Sequence, residues 1–486
     1  MCEREGWFIF REFFLFILFL SQKTRVTKNA ESRDVEGISL LELPALLKAL
    51  KSCGRSKDLQ KGINIHAILL QQGLLYKDLS INNAIVNMYS KCGALSKAQS
   101  VFDQIHGFRD VVSWTSLISG YAQYGNAQES LNCFRRMQEE GLEPDPISFA
   151  CALKACGTIG TTPNGVEIHA KLIKGDLIRK DIVLGTALVD MYAKCGDLGK
   201  AKAMFDELYL IRDVILWNAL ISGYSQHGLG NEALDLFRQM QEEGLLPDVV
   251  TLSCILKACG SVGLGNKGEE IHCAMRKEKP YRRNIVLRTS LVDMYAKCGK
   301  LETAREVFDE FPMHDVALWN ALISGYAQHG HSDEAMKCFD HMIAEGLSPD
   351  VITFACILKA CGNMVSEEMG RKVHAEVQKQ GLLGKNPVLG TALIDMYAKC
   401  GSLEKAREVF NELSVHNVIS WNTLISSYAK EGLLEEALSC IRRMRKQGLT
   451  PDAISFACIN QSICMLQGHV QSVEASWKDD YFMIRF

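Results

Sequence analysis

The sequence predicts an all-α protein, an α-solenoid superhelix of stacked helical hairpins. Three observations support this fold class: similar phrases return about every 102 residues, apolar residues recur at helical spacing inside each phrase, and Gly or Pro stands where each helix must end. A hairpin of about 34 residues cannot bury its apolar stripe alone, so consecutive hairpins must stack on one another.

Composition narrows the possible functions. The 486 residues are 47% hydrophobic and 23% charged, with a formal net charge of -3, which excludes a disordered tail and a histone-like polycation. Near-neutral charge means that nucleic-acid binding would need charges at specific positions rather than bulk charge. Eighteen cysteines without a clear secretory signal indicate a reducing compartment.

Residues 1–42 are expected to lie outside the repeats. Arg11 and Glu12 interrupt their apolar stretch, so it is shorter than the roughly twenty apolar residues that span a bilayer. Basic, hydroxyl and amide residues follow at 21–33, as in an organelle transit peptide. We interpret residues 1–42 as a targeting peptide or a disordered segment.

Each period contains three related repeats. Phrases built around Trp114, Trp217, Trp319 and Trp421 are spaced by 103, 102 and 102 residues, and the phrases MYAKCG and KACG keep the same interval. Gly228 permits the left-handed conformation that ends a first helix, and Pro247 blocks extension of the second. Twelve repeats of 31–36 residues therefore occupy 43–452, and 453–486 form a degenerate or truncated thirteenth repeat and a tail. The repeats start at Leu43, Leu79, Val111, Pro146, Ile182, Val214, Val249, Ile285, Val316, Val351, Pro387 and Val418.

Two repeat families share this hairpin size. A tetratricopeptide (TPR) repeat would share Trp217 and Tyr224, but Ile221 and Met240 stand where that family has small residues. The repeats instead resemble the pentatricopeptide repeat (PPR) family, specifically the plant PLS subfamily with alternating long (FACILKACG), short (ALVDMYAKCG) and standard (WNALISGYAQHG) motifs. The resemblance covers about 410 of the 486 residues. It implies a TPR-like architecture of stacked hairpins. No deaminase domain is recognisable in the sequence.

The resemblance implies sequence-specific binding of single-stranded RNA, with one base per repeat. In the family, the fifth and last residues of a repeat meet the Watson–Crick edge of one base, and we call these two residues a reading pair. Hydroxyl and amide groups suit this task because they both donate and accept hydrogen bonds. The reading pairs are Asn83 with Asp110, Thr115 with Asp145, Thr186 with Asp213, Asn218 with Asp248, Thr289 with Asp315, Asn320 with Asp350, Thr391 with Asn417, and Asn422 with Asp452.

The family's code translates these pairs into a footprint. Thr with Asp favours G, Asn with Asp favours U, and Thr with Asn favours A, which gives 5′-?-U-G-?-G-U-?-G-U-?-A-U-3′. The question marks belong to the long repeats, which we interpret as spacers or weak readers because three of their four fifth residues cannot hydrogen-bond a base. Those residues are Leu47, Ala150, Ser253 and Ala355.

Two further sets of positions fit an RNA groove. The resemblance implies that an aliphatic second residue sandwiches the base, and the candidates are Val112, Val183, Ile215, Val286, Val388 and Ile419. A lysine before each KCG cysteine is expected to meet phosphate, the alternative being a solvated lysine that favours the helix dipole. These lysines are Lys91, Lys194, Lys297 and Lys399.

Other recurring residues are interpreted as structural. Fifteen of the 18 cysteines are locked to the repeat and no CxxC pair occurs, so we expect packing and no metal or other cofactor. The recurring histidines, such as His66 and His374, are expected to pack or hydrogen-bond between helices. The tryptophans are expected to pack between hairpins rather than stack on bases.

The predicted function is a non-enzymatic RNA adaptor without catalytic residues, membrane association or small-molecule substrate. It would recognise sites for C-to-U RNA editing in a mitochondrion or chloroplast, and the mitochondrion is slightly favoured. An editing deaminase or accessory editing proteins would act in trans. The alternatives are a factor for RNA stabilisation or processing, a protein–protein scaffold of the TPR type, and a truncated fragment of an editing deaminase.

Overall fold

The computed structural model describes residues 43–467 except 72, 76–77, 106, 108, 179–180, 278–280, 282, 311–312 and 384–385. In these residues the chain forms 25 α-helices and no strand, which confirms the predicted all-α fold. The proposed targeting segment at 1–42 and the tail from 468 onward lie outside the described residues. No helix in the described part is long and apolar enough to span a membrane.

The described residues divide into two compact bodies, the first ending at Leu208 and the second beginning at Tyr209. The helices of the first body are α1 Leu43–Ser56, α2 Leu59–Gln71, α3 Leu79–Lys91, α4 Leu95–Gln104, α5 Val111–Gln123, α6 Ala127–Glu139, α7 Pro146–Ile159, α8 Thr162–Lys174, α9 Ile182–Lys194 and α10 Leu198–Glu207.

The second body continues the same alternation of first and second helices. Its helices are α11 Val214–Gln226, α12 Gly230–Glu242, α13 Val249–Val262, α14 Gly265–Lys277, α15 Ile285–Lys297, α16 Leu301–Asp309, α17 Val316–Gln328, α18 Ser332–Ala344, α19 Val351–Asn363, α20 Glu367–Lys379, α21 Pro387–Lys399, α22 Leu403–Glu412, α23 Val418–Lys430, α24 Leu434–Lys446 and α25 Ala453–Gln467.

Within each body the odd-numbered helices form a continuous layer. Each packs against the next odd-numbered helix and against the even-numbered helices before and after it. Every odd-numbered helix begins at the residue from which a repeat was counted in the sequence. Gly196 and Gly228 follow α9 and α11 with φ of 82° and 76°, the left-handed conformation that Gly adopts without strain.

The recurring tryptophans lie in the core, as predicted. All four are at most 2% exposed. The ring of Trp319 meets that of Phe308 edge-on with 4.5 Å between centroids, and its indole N–H donates to Glu345 at 2.9 Å. Because these rings are enclosed and their N–H groups are satisfied, they are not available to stack on bases.

The recurring histidines and cysteines are also structural. Each histidine shares a hydrogen bond of 2.8–3.0 Å between its Nδ1 and a tyrosine hydroxyl, as between His66 and Tyr89. Burial lowers the pKa of His66 to about 4 and raises the pKa of the Cys156 thiol to about 11, so both groups stay neutral at physiological pH. Among the described residues, no three His, Cys, Asp or Glu side chains lie close enough to hold a metal ion.

Candidate nucleic-acid interface

The residues of the reading pairs lie at the N-terminal ends of the odd-numbered helices. The fifth residue lies one turn into its own helix, and the last residue precedes the next odd-numbered helix. A direct side-chain hydrogen bond of 2.9–3.1 Å joins the two members in five of the eight pairs. These pairs are Asn83 with Asp110, Thr115 with Asp145, Asn218 with Asp248, Asn320 with Asp350, and Asn422 with Asp452.

The other three pairs all have Thr at the fifth position. Thr289 and Thr391 donate instead to the backbone carbonyls of Ile285 and Pro387 in their own helices, at 3.0 and 2.9 Å. Thr186 lies on α9 in the first body, and its partner position, Asp213, precedes α11 in the second. The structure therefore shows direct contact mainly where the reading residue is an amide.

The last residue of each reading pair also caps the following helix. Asp248 Oδ1, for example, accepts from the backbone amide of Thr251 at 2.8 Å and from Asn218 Nδ2 at 3.0 Å. This capping role, typically about 1 kcal/mol, is not among the predictions from the sequence. All eight last residues accept a backbone amide in this way: Asp110, Asp145, Asp213, Asp248, Asp315, Asp350, Asn417 and Asp452.

Hydrogen bonds from the cap and from the reading Asn favour the ionised form of two of these carboxylates, Asp248 and Asp452. Partial burial acts to raise the pKa of Asp248, but hydrogen bonds from Thr251 and Asn218 outweigh it and lower the pKa below its ordinary value. The backbone amide of Ser455 is the main cause that lowers the pKa of Asp452. An ionised carboxylate is an acceptor only, so each such pair offers an acceptor beside the hydroxyl or amide of its fifth residue.

The predicted sandwich residues all project into solvent. Their exposed fractions lie between 53% and 65%. The second residues of three long repeats and of the thirteenth repeat are exposed to a similar degree of 53–61%. These additional residues are Ile147, Val250, Ile352 and Ile454.

Two adjacent cavities in the second body are each lined by exposed aliphatic side chains, which we call walls, together with a reading pair. One, of 430 Å³, is lined by Val388, Ile419 and the pair Thr391 and Asn417. The next, of 410 Å³, is lined by Ile419, Ile454 and the pair Asn422 and Asp452. Ile454 lies in the thirteenth repeat, at the place that a long repeat takes after a standard one, and its side chain lines the cavity beside the pair Asn422 and Asp452.

The lysines before the KCG cysteines are mostly engaged in ion pairs. Lys194, Lys297 and Lys399 meet an aspartate four residues earlier at 2.6–2.7 Å. Lys91 has Asn87 at that position instead. Each lysine also ends its helix, so the dipole interpretation and the phosphate interpretation are both compatible with the structure.

A second series of lysines is absent from the predictions from the sequence. The Lys of each KACG or KSCG phrase is exposed, and among the described residues none of the four forms an ion pair. Lys359 lines the same cavity as Thr391 and Asn417. Their regular spacing, one lysine in each long repeat, is the sequence signal that could have identified them. The series is Lys51, Lys154, Lys257 and Lys359.

Sequence comparison finds similar proteins across most of the chain. A profile described as the PPR repeat family matches residues 109–158, 212–261, 314–363 and 416–465, and a PPR repeat profile matches 83–109, 186–209, 286–316 and 391–418. The Arabidopsis thaliana pentatricopeptide repeat-containing protein At1g06140, mitochondrial, is 32% identical over 89% of this chain and 76% of its own length. Its counterpart At4g18520, chloroplastic, is 34% identical over 84% of this chain.

The chain spans 65% of At4g18520 and 49% of At4g39530, another Arabidopsis relative, so it covers less than two thirds of these proteins. Among solved structures, the maize pentatricopeptide repeat protein PPR10 aligns with a TM-score of 0.58 and 19% identity, over 87% of this chain and 61% of that one. PPR10 in complex with an 18-nt psaJ RNA element aligns with a TM-score of 0.56 and 21% identity, over 82% of this chain and 60% of that one. These structures share the helical-repeat fold.

Proposed function

This chain belongs to the pentatricopeptide repeat family, and we propose that its residues 43–452 bind single-stranded RNA in a sequence-specific manner. The observation that carries the proposal is the recurrence of an ordered reading pair beside exposed aliphatic walls, as at Asn422, Asp452, Ile419 and Ile454. Apolar walls suit the faces of a base, and the polar pair suits its edge. The fold shared with PPR10, which was solved with RNA, supports the same function.

We further propose that the chain acts as a non-catalytic site-recognition factor for C-to-U editing, with the deaminase in trans. The alternation of long, short and standard phrases supports membership of the PLS subfamily. Relatives named chloroplastic and mitochondrial support an organellar location. The reading pairs, the sandwich residues and the lysines are the proposed RNA-binding residues, and the footprint is ?-U-G-?-G-U-?-G-U-?-A-U.

Cross-linking followed by RNA recovery from isolated organelles tests this function. We expect one or a few discrete RNA sites that contain the footprint, next to an edited C if the editing role holds. Recovery of the same site without a nearby edited C would favour RNA stabilisation or processing. Recovery of protein partners with no enriched RNA would reject RNA binding and favour a TPR-type scaffold.

The exposed lysines of the second series are expected to contact phosphate more strongly than the paired ones. Replacing Lys154, Lys257 and Lys359 by Met should weaken binding of all RNAs alike and reduce the slope of log affinity against log salt by about 0.7 per lysine. Titration of labelled RNA at several salt concentrations measures this slope.

The matched control replaces Lys194, Lys297 and Lys399 by Met. Since these side chains already neutralise aspartates, the slope should change less. An equal change in both triple variants would show that the ion pairs do not restrict the lysines.

A further inference from the structure

In three standard repeats a buried hydroxyl lies behind the side-chain amide of the reading Asn. We call this amide the reading amide. The hydroxyl belongs to the third residue of the next odd-numbered helix, namely Thr251, Thr353 or Ser455, none of which is exposed. Thr251 Oγ1 lies 2.6 Å from Asn218 Oδ1 and 2.9 Å from Asp248 Oδ1, and its one hydrogen donates to the nearer amide oxygen. Thr353 Oγ1 likewise lies 2.6 Å from Asn320 Oδ1 and 3.0 Å from Asp350 Oδ1. Ser455 Oγ donates to Asn422 Oδ1 in the same way.

The reading amide is therefore held at both ends. In the first of these repeats, Asn218 donates from Nδ2 to Asp248 and accepts at Oδ1 from Thr251. Rotating the amide by half a turn would bring its carbonyl oxygen against the Asp248 carboxylate, which is repulsive. The remaining N–H of the amide and the second carboxylate oxygen are left for the base, as one donor beside one acceptor.

Asn83 provides an internal contrast. It forms the same kind of pair with Asp110, but the third residue of the next helix, Ser113, donates to the backbone carbonyl of Asp110 at 2.8 Å. Asn83 Oδ1 is buried and has no hydrogen-bond partner among the described residues. A buried acceptor without a donor is costly, so no hydrogen bond to this oxygen opposes rotation of the Asn83 amide.

We propose that the third-position hydroxyl is a positioning residue, which fixes the orientation of the reading amide and makes the preference for U over C stricter. This inference rests on the proposed RNA binding. U presents an acceptor at O4, where C presents the donor N4–H₂. A held amide keeps its N–H toward U, whereas an amide that can rotate turns its oxygen toward the base and accepts from the C amine. Asn218, Asn320 and Asn422 should therefore discriminate more than Asn83.

Ser455→Ala and Ser113→Ala form a matched pair of variants. Each removes a buried Ser hydroxyl that accepts from the backbone amide of its capping Asp, so each loses the same capping interaction. Only Ser455→Ala also removes the hydrogen bond to a reading amide. Ser455→Thr retains the hydroxyl and serves as the rescue variant.

The measurement is the affinity for the footprint RNA with U or C at its second base, read by Asn83, and at its twelfth base, read by Asn422. We expect Ser455→Ala to reduce the U-over-C ratio at the twelfth base by about three- to tenfold, the worth of one hydrogen bond. The ratio at the second base should stay unchanged in both Ala variants, and Ser455→Thr should restore the ratio at the twelfth.

An unchanged ratio at the twelfth base in Ser455→Ala would overturn the positioning role. A fall of the second-base ratio in Ser113→Ala would also overturn it, because loss of the cap alone would then explain the effect. If the unaltered protein does not distinguish the footprint from its scrambled sequence, the proposed RNA binding fails and the inference fails with it. The scrambled RNA thus separates the two failures.

Discussion

Replacing Asn218 by Thr is expected to change the preferred sixth base of the footprint from U to G. The chain already contains the arrangement that this change creates. Thr115 lies within 3.1 Å of Asp145 Oδ1 and 2.6 Å of Ser148 Oγ, and Asn218 has Asp248 and Thr251 in the same two places. A Thr at 218 can therefore take up the contacts of Thr115 without movement of the helices.

The change should alter affinity by roughly tenfold or more in each direction, since one mismatched base typically costs about 1–3 kcal/mol. Equilibrium binding to four RNAs that differ only at the sixth base measures the preference. The ninth base, read by the untouched Asn320, is the control and should still favour U. An unchanged preference for U at the sixth base would reject the assignment of Asn218 as a reading residue.

Replacing Trp319 by Ala is expected to cause the largest loss of stability. The ring is 2% exposed and packs against Phe308, and its N–H donates to Glu345. Loss of a buried Trp side chain typically costs about 3–5 kcal/mol. Urea unfolding followed by circular dichroism should show a lower midpoint, and hydrogen exchange should become faster in α17 and α18.

Glu345→Gln is the matched control for this variant. Trp421 donates to Gln447 at 3.2 Å in the equivalent place, so a Gln acceptor already serves one of the four tryptophans. The control should unfold close to the unaltered protein. If Trp319→Ala also unfolded close to the midpoint of the unaltered protein, the tryptophans would not hold the hairpins together. The alternative role of stacking on bases would then be favoured.

The fold could be predicted from the sequence because every signal is repeated. α11 ends just before Gly228, and a Gly with positive φ follows the first helix in most other repeats. Burial of the tryptophans follows from the same regularity, since one side chain in every copy fills one place in the packing. Repetition thus compensates for weak local propensity.

The site could be predicted only in part, because contacts between neighbouring helices depend on side-chain direction. The spacing of Asn218 and Asp248 identifies the pair, but not that Asp248 also caps a helix or that Thr251 lies behind the amide. The ion pair of Lys194 with Asp190 follows from their spacing of four residues on one helix.

Sequence-specific RNA binding is tested most directly by comparing the affinity of the protein for a synthetic RNA that carries ?-U-G-?-G-U-?-G-U-?-A-U with its affinity for a scrambled RNA of the same composition. Binding should be far tighter to the footprint, by about a hundredfold or more, because several reading pairs would each lose their base in the scramble. Equal affinities for the two RNAs would contradict sequence-specific recognition by the reading pairs.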